Sequence, residues 1–327
     1  MVNQRISLEE ATRRTTNFFA ERGCREETAL SVAHALVGAE AIGLRGHGLS
    51  RLPSYATMLD RGKIDGQAVP TSTIAAPGVI VIDAASGFAY PAIDLAIGQL
   101  SDLCRGQGIA AAAIRHSSHS GAAGLHVERL AARGLVSLFF ANTPAAIAPW
   151  GGRTAVFGTN PIAFGVPRRS GTPLIVDLSV SKVARGNILA AKQRGDKIPE
   201  GWALDIGGTP TCDPSAALEG TMLPMGDAKG SALALVVEIL AGCLVGAHLA
   251  FEASSFLDGG GPPPGTGQLF FAMDPTAFGH STFGERVEAL VAAIESQQGA
   301  RLPGSRRLLA RKKSLEHGIE VPRELML

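Results

Sequence analysis

What this 327-residue chain lacks narrows it before any motif is read. It has no excess charge: Lys+Arg 30 against Asp+Glu 29 leave a formal net charge of +1, which gives no basic footprint for nucleic acid. No run approaches the roughly 18 apolar residues of a membrane span. Met1-Val2-Asn3-Gln4-Arg5 leads straight into charged helix, so no signal peptide is expected either. Cysteine is scarce: Cys24, Cys104, Cys212 and Cys243 show no metal-like or redox-pair spacing and are expected as reduced, mostly buried thiols of a cytoplasmic protein. No strand leads into G-x-G-x-x-G, and Gly226-Asp227-Ala228-Lys229-Gly230-Ser231 is too short for G-x-x-x-x-G-K-[ST]. No serine sits in a Gly-x-Ser-x-Gly elbow, which counts against a hydrolase. His116, His119 and His126 do not have zinc spacing and have no Cys or carboxylate among them, so no metal is expected. Aromatics make up 5% of the chain, whereas glycine numbers 40, which implies many tight turns and close backbone approaches.

What remains, 46% hydrophobic and 18% charged, is a soluble globular composition, long enough for one large or two ordinary domains. Ser7-Leu8-Glu9-Glu10 reads as a capping box for a helix to about residue 21. A second helix is predicted over 26–42, with Ala29, Val32, Ala33, Leu36, Val37 and Ala41 as its apolar stripe. A third is predicted over 49–61, with Pro53 tolerated near its first turn. From residue 69 the period changes. A hairpin is predicted over 72–76 and 79–83, a helix over 92–105, and strands over 109–114, 135–141, 162–166 and 174–178. Ser181 and Lys182 are expected to open a helix reaching residue 192, and Ala228–Val245 is the most apolar helix of the chain. A strand over 268–274 and helices over 284–297 and up to about 317 complete the pattern. Residues 1–68 with 283–327 are expected to form a helical domain, and 69–282 an α/β cofactor-binding domain. The fold class is thus α/β (α+β), with a central mixed sheet and no Rossmann opening.

The stretch richest in chemistry is Arg45-Gly46-His47-Gly48-Leu49-Ser50-Arg51-Leu52-Pro53-Ser54-Tyr55. If the chain turns helical from Gly48, His47 and Arg51 lie four residues apart on one face. An imidazole that titrates near neutrality, about one turn from a carboxylate-binding guanidinium, suits reduction of a 2-oxo acid. The same residues alone also fit a capping histidine and a surface arginine. Lys229 stands where a helix N-terminus favours an anion, and Arg306 with Arg307 offers a second cationic corner; ordinary solvated charge is the plainer account of each. Small residues after His119 suit close approach to a flat or phosphorylated ligand.

Five stretches in order, Arg45–Tyr55, Pro149-Trp150-Gly151-Gly152, Gly158-Thr159-Asn160-Pro161, Leu223–Gly230 and Arg301-Leu302-Pro303-Gly304, resemble the non-Rossmann malate/L-lactate dehydrogenase family over nearly the whole chain. That family includes sulfolactate dehydrogenase, ureidoglycolate dehydrogenase, diketogulonate reductase and piperideine-2-carboxylate reductase. The resemblance implies an NAD(P)H-dependent oxidoreductase, NADPH favoured, that interconverts a small 2-oxo acid and 2-hydroxy acid as a homodimer. It places the catalytic acid/base on His47 and the substrate arginine on Arg51. Cofactor contacts then fall on His119, Ser120, Gly121 and Ala122, on Thr159, on Asp177, Leu178 and Ser179, on Ala228 and Lys229, and on Gly304, Ser305 and Arg306. Two positions depart from the family pattern. Gly46 stands where most members have serine, and Asn187 where the imine-reducing members have an aspartate that completes a relay with the histidine. An amide cannot stabilise an imidazolium as a carboxylate does. The hydroxyacid branch is therefore expected, with a cyclic imino acid (piperideine- or pyrroline-2-carboxylate) reductase as the same-class alternative and a catalytically inactive nucleotide-binding homologue as the other. Arg306 and Arg307 are available for a 2′-phosphate.

Overall fold

The computed structural model describes residues 3–279 and 281–322. Its helical opening follows the capping signals: β1 (Asn3–Ile6), α1 (Leu8–Ala20), α2 (Glu26–Ala41) and α3 (Leu52–Asp60). Ser7 caps α1 by accepting from the Glu10 amide at 3.1 Å. The middle of the chain comprises β2 (Thr71–Ala76), β3 (Val79–Asp83), α4 (Ala89–Gln107), β4 (Ile109–Ser117), α5 (Ala123–Ala131), β5 (Val136–Ala141), β6 (Ile162–Val166) and β7 (Leu174–Leu178). Next come α6 (Arg185–Arg194), β8 (Ala203–Leu204), β9 (Pro210–Thr211), α7 (Pro214–Glu219), β10 (Thr221–Met222), α8 (Ala228–Glu238) and β11 (Thr266–Met273). The chain closes with α9 (Phe283–Glu295), α10 (Ser305–His317) and β12 (Ile319–Pro322), the last pairing with β1.

Seven strands form the main sheet in the order β2-β3-β4-β11-β5-β6-β7. Only β3–β4 is parallel, joined by α4 as a crossover helix; the other neighbours are antiparallel. This is the expected mixed α/β sheet, and its mainly antiparallel pairing is unlike a Rossmann core. Both faces are covered, because alternate side chains of a strand point to opposite sides. Ala112, Ile114 and Phe270 pack with α4 and α5 in one apolar cluster, while Ala113 and Leu269 pack against Val237, Ala241 and Val245 in another. A third cluster joins α1, α2 and α3 to Ile319 and Val321 at the other end of the chain, and also takes in Phe88 and Tyr90.

Two expectations need correction. The helix predicted from Ser181 starts at Arg185, because Ser181 bridges to Pro224 and the Lys182 amide donates to the Leu223 carbonyl at 2.8 Å, tying both residues to that segment. The cysteines divide evenly: Cys24 and Cys104 are buried, Cys212 and Cys243 exposed, and all four are free. The helix predicted over 49–61 is present: it opens with a 3-10 turn, Leu49–Arg51, that runs directly into α3, and a separate 3-10 turn spans Arg45–His47. Between the two turns, the buried Glu40 carboxylate accepts from the Leu49 amide at 3.0 Å. A Cβ on Gly48 would stand 2.2 Å from that carboxylate, so only glycine fits there.

Candidate active site

The two 3-10 turns place His47 and Arg51 together, although not through the continuous helix that their spacing suggested. Arg51 Nε donates to the Gly46 carbonyl at 2.7 Å, which folds the guanidinium back beneath the turn carrying His47. Its Nη1 is buried and has no hydrogen-bond partner among the described residues. A buried, unsatisfied charged donor is costly, so this nitrogen calls for an acceptor.

The His47 ring stacks on His119, with centroids 5.2 Å apart and planes 13° from parallel. His47 Nδ1 lies 3.3 Å from His119 Nε2. On its other side, His119 Nδ1 lies 2.6 Å from the Tyr55 hydroxyl, which in turn lies 2.9 Å from the Tyr90 hydroxyl. Tyr55 comes from α3 and Tyr90 from the first turn of α4. Gly121 lets the two segments close up: its φ is +70°, and a Cβ there would stand 2.7 Å from the Tyr90 oxygen.

Burial sets the charge state of this row. It pushes Tyr55 up to about 12 and Tyr90 well above the usual phenol range, so both keep their protons. His47 is brought down to about 4, first by desolvation and then by the Arg51 guanidinium; Asp177 opposes the shift. His119 lies well below its ordinary value for the same two leading reasons. His126, whose Nε2 donates to the Ser120 carbonyl at 2.7 Å, is lowered to about 4 by burial. The row can run in two senses. With Tyr90 donating to Tyr55 and Tyr55 to His119, His47 carries its hydrogen on Nε2; reversed, that nitrogen is left bare.

The other residues expected in the site lie around this row. Asp177 caps α5, accepting from the Gly124 amide at 2.9 Å, and pairs with Arg307 at 2.8 Å. Arg307 is therefore already engaged with a carboxylate. Thr159 is held by Thr143, whose Oγ1 accepts the Thr159 amide at 2.9 Å, and its carbonyl accepts from Val180. Ser179 Oγ meets Ser181 Oγ at 2.8 Å, and Leu178 is partly exposed at the end of β7. Ala228 and Lys229 are exposed at the start of α8. Gly304, with φ +83°, turns the chain into α10, Ser305 Oγ bonds to the Leu302 carbonyl, and Arg306 is exposed. Neither Lys229 nor Arg306 has a side-chain partner among the described residues. Asn187 is exposed and lines a surface groove with Arg194, Asp196 and Trp202, and no described hydrogen bond ties it to His47. Among the described residues, no group of His, Cys, Asp and Glu could hold a metal ion.

Sequence reasoning passed over Tyr55 and Tyr90. One signal was available: they are the only two tyrosines in the chain.

The profile of the malate/L-lactate dehydrogenase family matches residues 6–327. The chain is 47% identical to a (2R)-3-sulfolactate dehydrogenase (NADP(+)) of Chromohalobacter salexigens, over 98% of this chain and 96% of that one. It is 39% identical to a Δ1-pyrroline-2-carboxylate reductase of Pseudomonas fluorescens, again over 98% and 96%. Among solved structures, the Δ1-piperideine-2-carboxylate reductase of Pseudomonas syringae superposes with a TM-score of 0.94 at 38% identity, covering 99% of this chain and 98% of that one.

Proposed function

The chain belongs to the malate/L-lactate dehydrogenase family, and from that footing we propose that it reduces a small 2-oxo acid to the 2-hydroxy acid with NAD(P)H, NADPH favoured, and runs the reverse reaction. The observation that carries the reading is the buried, unpartnered Arg51 Nη1 beside His47. A substrate carboxylate satisfies that nitrogen and fixes C2 next to the imidazole. It also offsets the guanidinium charge that adds to the effect of burial on His47, which favours the protonated ring in the substrate complex. A bound reduced nicotinamide supplies a hydride to C2. His47 Nε2 gives its proton to the C2 oxygen, while His119 and Tyr55 keep the ring in place from behind.

The residues present fit a dinucleotide. Lys229 and Arg306, with no side-chain partner among the described residues, are cations for its phosphates, and the small-residue turn His119–Ala122 would approach it beside His47. Thr159, Asp177, Leu178, Ser179, Ala228, Gly304 and Ser305 would flank it, Asp177 from its place as the α5 cap. We also read the exposed apolar row of α8 and the turn after it, Leu235, Val236, Ile239 and Leu244, as the face by which two copies form a homodimer. Two exposed, unpaired cysteines suit the reducing cytoplasm.

The similarity to pyrroline- and piperideine-2-carboxylate reductases supports a second reading, reduction of a cyclic imino acid. Following absorbance at the reduced nicotinamide band, with both cofactors and a panel of 2-oxo acids and cyclic imines, separates the two. Oxidation of NADPH by a 2-oxo acid is expected; a strong imine preference overturns the main reading, and cofactor binding without turnover points to an inactive homologue. The departures from the family pattern sharpen the test. A Cβ at Gly46 meets nothing within 4 Å, so a serine there is accommodated. Gly46→Ser with Asn187→Asp should raise imine turnover relative to 2-oxo acid turnover.

A further inference from the structure

Phe256 is buried, yet alone among the buried phenylalanines it belongs to none of the four apolar clusters. Its ring instead lies against His119, with centroids 5.3 Å apart and a tilt of 54°. It comes from an irregular stretch, residues 247–265, between the end of the α8 turn and β11. A phenylalanine in such a segment holds its place only if the segment itself is pinned.

The pins are two buried ionisable side chains that the proposed chemistry does not use. Lys63, with a side chain 0% exposed, donates to the Asp258 carbonyl at 3.1 Å and the Gly260 carbonyl at 2.5 Å, and lies 3.7 Å from the Asp258 carboxylate. A buried ammonium is retained only where such partners meet it. Lys63 follows directly on α3, the helix that brings Tyr55 to His119, and its amide donates to the Met58 carbonyl of that helix. At the near end, Glu238 of α8 accepts from the Ala250 amide at 2.7 Å and from Asn142 and Asn160 at 3.1 and 2.8 Å. The His248 ring, donating to the Pro264 carbonyl at 3.0 Å, clips the two ends of the stretch together.

We propose that residues 247–265 are a fixed strap that presses Phe256 against His119, with Lys63 as its rivet, making Phe256 and Lys63 positioning residues for the His119–His47 pair. The inference rests on the reading of His47 as the proton donor. One helix then supplies both sides of the arrangement: Tyr55 bonds His119 directly, and Lys63 brings the apolar cover that keeps water off the same ring. Phe256 acts by excluding solvent and by holding the His119 plane, on which His47 stacks. Neither Phe256 nor Lys63 exchanges a proton.

The test uses the full-length protein with Phe256→Ala, Phe256→Leu, Lys63→Met and the Phe256→Ala/Lys63→Met double variant. Histidine ring-proton NMR titration of the cofactor-free protein provides a readout independent of turnover. Phe256→Ala should raise the titration midpoint of His119 by about one pH unit and lower kcat about tenfold, with the pH profile of kcat displaced in the same direction. Phe256→Leu, which keeps an apolar cover, should stay near the wild type. Lys63→Met should reproduce the Phe256→Ala shift in smaller measure, and the double variant should be no worse than Phe256→Ala, because Lys63 acts through that ring. Leu257→Ser, on the exposed side of the strap, should change none of these. A Lys63→Met protein that melts earlier but titrates like the wild type overturns the role given to Lys63, and an unmoved His119 in Phe256→Ala overturns the whole proposal. Loss of the 2-oxo acid reading would show instead as absent turnover in the wild type, with the NMR shifts intact.

Discussion

The two halves of the site contrast in how they are satisfied. The rings of His47 and His119 and the two phenols find their partners in one another, in a row that ends at Tyr90 and is shut in by Phe256. On the side proposed for the cofactor, Lys229 and Arg306 stand exposed, with no side-chain partner among the described residues. The first half is built before any ligand arrives, so its geometry belongs to the fold and requires no reorganisation during reaction. The second is completed only by what binds to it. Arg51 lies between the two, with one nitrogen tied to Gly46 and another buried and unmet. A lesion in the enclosed half should therefore damage rate, and one in the open half should damage cofactor affinity.

The sharpest break comes from His47→Ala. It should lower kcat roughly 10²- to 10⁴-fold while leaving the cofactor dissociation constant, read by fluorescence titration, near the wild-type value. A weakened cofactor affinity with kcat unchanged at saturating cofactor would merge the two halves. Next, Arg51→Lys should reduce kcat/KM for the 2-oxo acid roughly 10- to 100-fold, the worth of a charge-assisted hydrogen bond in fixed geometry. Most of that loss should appear in KM, because the guanidinium holds the ground-state carboxylate as well.

Acid sharpens the contrast without a mutation. His119 and His126 lie below 6.5 in the folded protein, first through burial, His126 at about 4. The unfolded chain takes up protons at these two rings from about pH 6.5 downward, while the folded chain refuses them. Stability is full above that range and is lost as pH falls toward 4, by about 1.4 kcal/mol per pH unit for each ring. Urea midpoints measured from pH 7 to 5 should fall accordingly, and a flat profile would mean that the rings are not enclosed. The smallest effect belongs to the open half. Lys229→Met or Arg306→Met should weaken NADPH binding about two- to fivefold with no change in thermal midpoint.

Much of this was legible in the chain because it is local. The β2–β3 hairpin and the glycine stop of α4, expected near Gly106 and found at Gly108, are each encoded within a few residues. His47 and Arg51 could be paired from their spacing, although the reason they meet was hidden. Glu40 reaches from the last turn of α2 to take the Leu49 amide, at the joint between the two tight turns that carry His47 and Arg51. Contacts between distant segments left no trace. Arg307 meets Asp177 across 130 residues, and Lys63 meets Gly260 across 197. The sequence suggested a phosphate ligand for Arg307 and gave no reading of Lys63; only the fold assigns them partners.

The row behind His47 has a blind end. Tyr90 is fully enclosed, and its hydroxyl meets only that of Tyr55 among the described residues. Neither phenol can surrender its hydrogen at neutral pH, so nothing can be drawn from that direction to reload the imidazole. In the proposed reaction, a proton given up by His47 is therefore replaced from the opposite side of the ring, the side that faces the substrate. On that reading, the ring is reloaded only from the side on which the substrate binds.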